Sequence, residues 1–318
     1  MINVKRLEKY GFFKMNTNEQ IEFLRKHHFY ELSNENKIKF LEQIGLFYID
    51  INDDPPNIPL KPEDIDYLRN IPENAQKNKI IKIWKESFIN NAIKRKIFKI
   101  NQVNGSNVLE NLNTGGIITM NHFNPMDMFA VERTLKQIGV NKKVYKVIRE
   151  GNYTNFPGWI GLYFRNDNTL PLSQVPETME MFYEAIETIL KNGDLIIVCP
   201  EQSMWLNYRK PRPLRYGAFK FAVSNNVPII PIFITMDDSA HEYNINIGNL
   251  ILKDDNLTLK QNIKKMRDMN YEFCVNAYKN FYSEDVKYIT LPHEYLPEYV
   301  SSTQYFREIA KENQESER

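Results

Sequence analysis

His122 and Asp127 stand five positions apart in a chain of 318 residues, and their types and spacing suit acid–base chemistry. Between them, Asn124 is a good helix N-cap, and Pro125 fits a first helical position with its fixed φ and no N–H to leave unpaired. This predicts a helix from Pro125 to about Ile138, with Asp127 as its third residue. A carboxylate there turns back towards the cap and reaches a side chain just ahead of it, here His122. Such a carboxylate fixes the imidazole tautomer and stabilises the imidazolium. The pair has no nucleophile of its own. It suits a general base that takes the proton from a substrate hydroxyl while that oxygen attacks an activated carbonyl. A plainer reading stands beside it, because an acidic residue in the first turn also serves the helix dipole and a histidine there often only packs or caps.

A histidine and an aspartate so placed require a strand, a turn and a helix. Ile117, Ile118 and Met120 read as the end of a buried strand that delivers the turn. Further strands are expected over 98–103, 144–148, 194–200 and 227–234. Helices are expected over 176–190, stopped at Asn192-Gly193, and over 217–224 and 259–282. The segment 155–159 reads as a loop, and proline-rich turns are expected at 53–57 and 58–62. Strands alternating with helices predict an α/β fold. The expected organisation is an N-terminal helical extension over 1–78, the α/β domain over 79–290 and a polar C-terminal tail over 291–318.

Composition excludes several classes. Forty-one basic against forty acidic residues give a net charge of +1, which offers nucleic acid no bulk electrostatic partner. Cys199 and Cys274 are too few for a disulfide framework or a cysteine-rich zinc site, which agrees with a reducing compartment. His27, His28, His241 and His293 lack partners at ligand spacing, so no metal is expected. There is no apolar leader and no apolar run of 18 residues, so neither a signal peptide nor a spanning helix is expected and the protein is placed in the cytoplasm. Residues 79–99 interleave Ile80, Ile81, Trp84, Phe88, Ala92 and Ile93 with seven basic residues. That segment is either a helix lying on an anionic membrane or, as we favour from sequence, a helix docked on the core with a solvated basic face.

Four stations in order give the stretch from Phe98 to Asp238 a resemblance to the glycerol-phosphate and lysophospholipid acyltransferase family. Asn121-His122-x-x-x-x-Asp127 resembles its N-H-x-x-x-x-D, and Lys146 through Pro157-Gly158-Trp159 resembles its second block. Pro200-Glu201-Gln202-Ser203 resembles its P-E-G-T, and Val227-Pro228-Ile229-Ile230-Pro231 resembles its V-P-[IV]-[IV]-P strand. The resemblance implies that the central sheet of the α/β fold is mixed and flanked by helices. It also implies transfer of a fatty acyl group from a coenzyme A or acyl carrier protein thioester, as co-substrate and without a cofactor, to a hydroxyl of a lysophosphatidate-like or lysophospholipid-like acceptor. It implies His122 and Asp127 as the catalytic pair, and Glu201, Ser203, Arg215, Lys146 and Gly217 as substrate-binding residues. Backbone N–H groups near Asn124 or Gly158 are the candidate oxyanion donors. The location implied is peripheral, on the inner face of the cell membrane.

Two departures bear on the acceptor. Met204 follows Ser203 where the family usually has an arginine, and Leu172-Ser173-Gln174 stands where another is usual; Arg209, Lys210, Arg212 and Arg215 could compensate. The alternatives are the same chemistry on a non-phosphate acceptor, such as a cell-envelope glycan or an unusual polar lipid, or a non-catalytic lipid-binding protein at the membrane surface. A thioesterase using water is a weaker option.

Overall fold

In the computed structural model, residues 4–53, 57–110, 112–237 and 241–288 are described, together with Leu291, Glu298, Arg307, Glu308, Lys311 and Glu315. The centre of the expected turn at 53–57, His293 and most of the expected tail lie outside the described residues. In chain order the elements begin with helices α1 (Val4–Lys9), α2 (Thr17–Lys26), α3 (Asn34–Gln43) and α4 (Pro72–Lys94). Then come β1 (Lys99–Asn104), β2 (Gly116–Thr119), α5 (Asp127–Gln137), β3 (Val144–Ile148), α6 (Glu150–Thr154), α7 (Gly158–Asn166), β4 (Thr169–Pro171) and α8 (Pro176–Lys191). The chain continues through β5 (Leu195–Val198), α9 (Gly217–Ser224), β6 (Ile229–Asp237), β7 (Glu242–Ile247) and α10 (Leu259–Tyr282).

The strands form one mixed seven-stranded sheet in the order β1-β7-β6-β2-β5-β3-β4. Every neighbouring pair is parallel except β6 with β7. Central strands β2 and β5 are buried at every position, as continuous apolar runs in a parallel sheet must be, since helices cover both faces. Ile117 and Ile196 face one core, shared with α8, α9, α10 and the N-terminal helices. Ile118 and Ile197 face the other, shared with α4 and α5. The N-terminal segment joins the first core through Leu7, Phe12, Leu24, Leu41 and Phe47.

Strands β7 and β4 and helices α6 and α7 go beyond the sequence-based expectation. Strand β7, read EYNINI, carries its polar alternation as an asparagine ladder: Asn101 Nδ2 donates to Asn244 Oδ1 at 3.1 Å, and Asn104 Nδ2 to Asn246 Oδ1 at 2.9 Å. Strand β4 has only three residues, too few for a period to show. Helix α7 extends what read as a loop, and its Gly161 is required by contact, because a Cβ there would lie 1.9 Å from the Phe156 carbonyl oxygen.

Helix α4 docks on the core as favoured from sequence, through Phe88, Ile89, Ala92 and Ile93, but not with all of its apolar residues inward. It starts at Pro72, within the segment assigned to the N-terminal extension, and turns Asn78, Lys85, Ile89 and Ala92 inward. Ile80, Ile83 and Trp84 face out at 60%, 74% and 39% exposure. Lysines go inward because carboxylates wait there: Lys85 Nζ lies 2.8 Å from Glu132 and 3.0 Å from Asp167, and the buried Lys146 of β3 pairs with the same two acids. Burial alone would push the Asp167 carboxyl up, but Lys146 and Lys85 hold it well below the usual carboxylate range. A depressed native value stabilises the fold above the unfolded carboxyl value, near pH 4, and that contribution is lost as pH falls through the native value.

Asp167→Asn should therefore lower stability by about 3–5 kcal/mol at pH 7, because two buried ammonium groups lose a partner. Urea unfolding measures this, and the gap between wild type and variant should narrow as the buffer is taken below pH 4.

Candidate active site

The chain leaves the sheet after Thr119 and is caught at once. Buried Asn121 extends the pairing of β2 with β6 by side chain, donating from Nδ2 to the Ile234 carbonyl at 3.0 Å and accepting the Ile234 N–H at 2.7 Å. His122 follows with its backbone held from both sides. Its N–H donates to Glu201 Oε2 at 3.3 Å, and its carbonyl accepts from Arg212 Nη2 at 3.3 Å and Trp205 N at 3.4 Å.

Asp127 is fully buried, and its Oδ2 accepts the N–H groups of Phe123 and Asn124 at 2.7 Å each. This is the return arm of a capping box, and Asn124 Oδ1 completes the turn by accepting the Met126 N–H at 2.9 Å. The regular helix opens at Asp127, two residues after the expected start, because the Asp127 N–H bonds the Asn124 carbonyl in a tight turn first. His122 Nδ1 lies 3.3 Å from the same Oδ2, with the His122 side chain 20% exposed. The bond assigns the proton to Nδ1 and leaves Nε2 as the free basic nitrogen. Asp127 Oδ1 is buried without a hydrogen-bond partner among the described residues, so an imidazolium is the charge partner this carboxylate lacks.

The turn's amides are spent: those of Phe123, Asn124, Met126 and Asp127 all have acceptors inside it. Pro125 has none to give. Asn124 thus shapes the turn and has no N–H to offer an oxyanion. Gly158, the other expected donor position, opens α7 in the left-handed region at φ 61°. It sits beside Trp159, whose ring meets Trp84 at 4.7 Å and Phe88 at 5.3 Å between centroids.

Glu201 and Ser203 do join His122, through a residue that sequence reasoning had placed only in a basic cluster. Arg212, 1% exposed, donates from Nε and Nη2 to Glu201 Oε2 at 3.1 and 2.8 Å. Its Nη1 donates to Ser203 Oγ at 2.9 Å and to the Phe47 carbonyl at 3.1 Å, and it lies over the Trp205 ring. Glu201 Oε1 accepts the Arg212 N–H at 3.0 Å. These groups are committed to the protein, so Glu201 and Ser203 shape the site by holding the His122 backbone. Gln202 stands in the left-handed region at φ 70°, a conformation that favours the glycine of the resembled motif, and its side chain points into solvent. Arg215 stands beside this block, its N–H donating to the Pro200 carbonyl at 2.9 Å and its guanidinium 4.9 Å from the Tyr48 ring centroid, and Gly217 is exposed at the start of α9. Lys146 is consumed by the ion cluster with Glu132 and Asp167.

Cys199 was missed as a neighbour of the site. Burial pushes its thiol up, and the negative charges of Asp127 and Glu201 add to the effect. A thiol so placed stays protonated and is a poor nucleophile. Among the described residues no cluster of three or more His, Cys, Asp or Glu side chains is arranged to hold a metal ion.

The model of the Acyltransferase family matches residues 100–235, a span that includes Asn121, His122, Asp127, Glu201 and Arg212. No curated protein matches the sequence. A similar solved structure is the crystal structure of the 1-acyl-sn-glycerophosphate (LPA) acyltransferase PlsC from Thermotoga maritima. It is 18% identical, covers 68% of this chain and 86% of its own, and has a TM-score of 0.47.

Asn121→Ala should cost about 2–4 kcal/mol, because it strands the buried N–H and carbonyl of Ile234. Thermal and urea unfolding of the variant beside wild type would check it.

Proposed function

We propose that the chain is an acyltransferase that moves a fatty acyl group from an acyl thioester to a hydroxyl of a lysophosphatidate-like or lysophospholipid-like acceptor, a reading supported by the match of residues 100–235 to the Acyltransferase family model. The observation that supports this reading is the His122–Asp127 pair, a partly exposed imidazole backed by a fully buried carboxylate. Nε2 of His122 takes the acceptor hydroxyl proton as the oxygen bonds the thioester carbonyl carbon. The tetrahedral intermediate collapses, the C–S bond breaks, and the imidazolium returns its proton to the leaving thiolate. The 3.3 Å contact to Asp127 tightens as the imidazole gains charge. With the amides of the Asn124 turn already bonded, Gly158 at the start of α7 is kept as the proposed oxyanion donor position. The donor is a coenzyme A or acyl carrier protein thioester. The protonated Cys199 favours direct transfer over an acyl-thiol intermediate.

A second acceptor reading has its own observation. Arg212 is fully engaged inside the protein, so a phosphate on the acceptor depends on Arg215 or its neighbours, and a hydroxyl without phosphate fits the same chemistry.

Among the described residues no helix is long and apolar enough to cross a membrane. Peripheral attachment is supported instead by α4 and α7, where Ile80, Ile83, Trp84, Trp159 and Leu162 are exposed together. Exposed Lys77, Lys79, Lys94 and Lys96 accompany them on α4 and just after it, a pairing that suits an anionic bilayer. The patch connects through Phe88 to Phe129, two residues beyond Asp127.

Thiol release from a palmitoyl thioester should be stimulated by lysophosphatidate and should fall on the order of a thousandfold in His122→Ala, with the fold intact by circular dichroism. Equal rates in the two proteins would refute the mechanism, and His122-dependent release without stimulation would move the search to other hydroxyls. Ile83→Asp should weaken sedimentation with anionic vesicles by about tenfold, the equivalent of one buried aliphatic side chain. Unchanged sedimentation would place the membrane contact elsewhere.

A further inference from the structure

A cavity of about 240 Å³ opens between α4, α5 and the start of β3. Lys82 and Lys85 line it from α4, Arg133 from α5, and Lys142 and Lys143 from the loop before β3. The acidic side chains among them are Glu86 and Glu132, and both are engaged. Glu86 lies 3.0 Å from Lys136 and 3.7 Å from Arg133, while Glu132 pairs with Lys85 and Lys146. Lys142 Nζ is bound to the carbonyls of Thr114 and Gly193, which leave its charge uncancelled. Among the described residues, Lys82 and Lys143 have no carboxylate partner, and Arg133 Nε is buried without a hydrogen bond. Burial pushes the Lys82 ammonium pKa down; Asp167 pulls it back up, and Lys85, Lys146 and Lys143 push it down again. Cations gathered in this way, with their local carboxylates already used, lack a counter-charge.

The sheet register separates this cavity from His122. Val144 pairs with Leu195, and Leu195 with Gly116, so the cavity lies beside the starts of the central strands. His122 follows the opposite end of β2, beyond Thr119, so at least the strand's length of roughly 10 Å lies between them.

We propose that this cavity binds a phosphate-bearing anion at a site separate from the His122–Asp127 pair. Its volume has room for a phosphate or diphosphate group. Lysine suits this role as a point charge for phosphate. The group arrives either as a free anion or as the headgroup of a lipid whose chains lie against the outward apolar face of the same helix, at Ile80 and Ile83.

The test is titration calorimetry of the full chain with inorganic pyrophosphate at low salt, beside sedimentation with phosphatidylcholine vesicles containing phosphatidic acid. Each is run on wild type and on Lys82→Glu/Lys143→Glu, with Lys82→Met/Lys143→Met as the second variant should charge reversal unfold the chain. Pyrophosphate binding that weakens at least tenfold in the variant supports the site with a free anion as its source. No pyrophosphate binding, with phosphatidic acid sedimentation lost in the variant, supports the site with a headgroup as its source. Binding equal in wild type and variant for both probes, or binding of neither probe, overturns the proposal. Neither readout uses turnover, so failure here is distinct from failure of the acyl-transfer reading.

Discussion

The buried pair of Glu201 and Arg212 fixes the geometry on which the rest of the site depends. Two charges removed from water are costly unless every donor and acceptor is met. Here the guanidinium spends its donors on Glu201, Ser203, Phe47 and His122, and the carboxylate returns a bond to the His122 N–H. Three regions are joined by that exchange: the end of β5, the N-terminal segment at Phe47, and the turn that carries the imidazole. Trp205 adds a second tie to the N-terminal segment by donating its indole N–H to the Ile49 carbonyl at 2.8 Å. The backbone of His122 is thus fixed by tertiary contacts while its ring is fixed by the local carboxylate of Asp127.

The molecule keeps its charged groups in three separate arrangements, each with a different consequence. At Glu201–Arg212 the charges cancel within hydrogen-bond range, giving rigidity. Around Asp167 two lysines and two acids cancel in a four-member cluster that anchors α4 to α5 and β3. In the cavity beside that cluster the carboxylates are already taken and the positive charge remains in excess, which is the arrangement that recruits a ligand. The first two are buried, whereas the cavity's basic residues are half-buried or, at Lys143, exposed, and it is there that the local balance of charge is left positive.

Helix α4 shows how that balance overrides hydrophobic patterning. Its isoleucines and lysines follow helical spacing but sort only in part: Ile89 and Ala92 are buried and Ile93 packs beside them, while Ile80 and Ile83 face out. Lys85 is drawn in by Glu132 and Asp167, and the helix rotates Ile80 and Ile83 to the outside as a result. An exposed patch made in this way is stable only with a partner or with the tolerance that a few scattered apolar residues enjoy.

Local relations were legible in the sequence. Pro176 opening α8, the helix over 259–282, the continuous apolar runs of β2 and β5, and the His122-to-Asp127 turn all depend on residues within a few positions of one another. Spacing and residue type therefore sufficed to place them, within one or two residues at the ends. Other features depend on residues far apart in the chain. Arg212 reaches Phe47 across 165 positions, the asparagines of β7 find those of β1 across about 140, and Lys85 meets Asp167 across 82. Only the folded chain decided those, because a long polar side chain carries no periodicity and takes the direction in which its charge is satisfied.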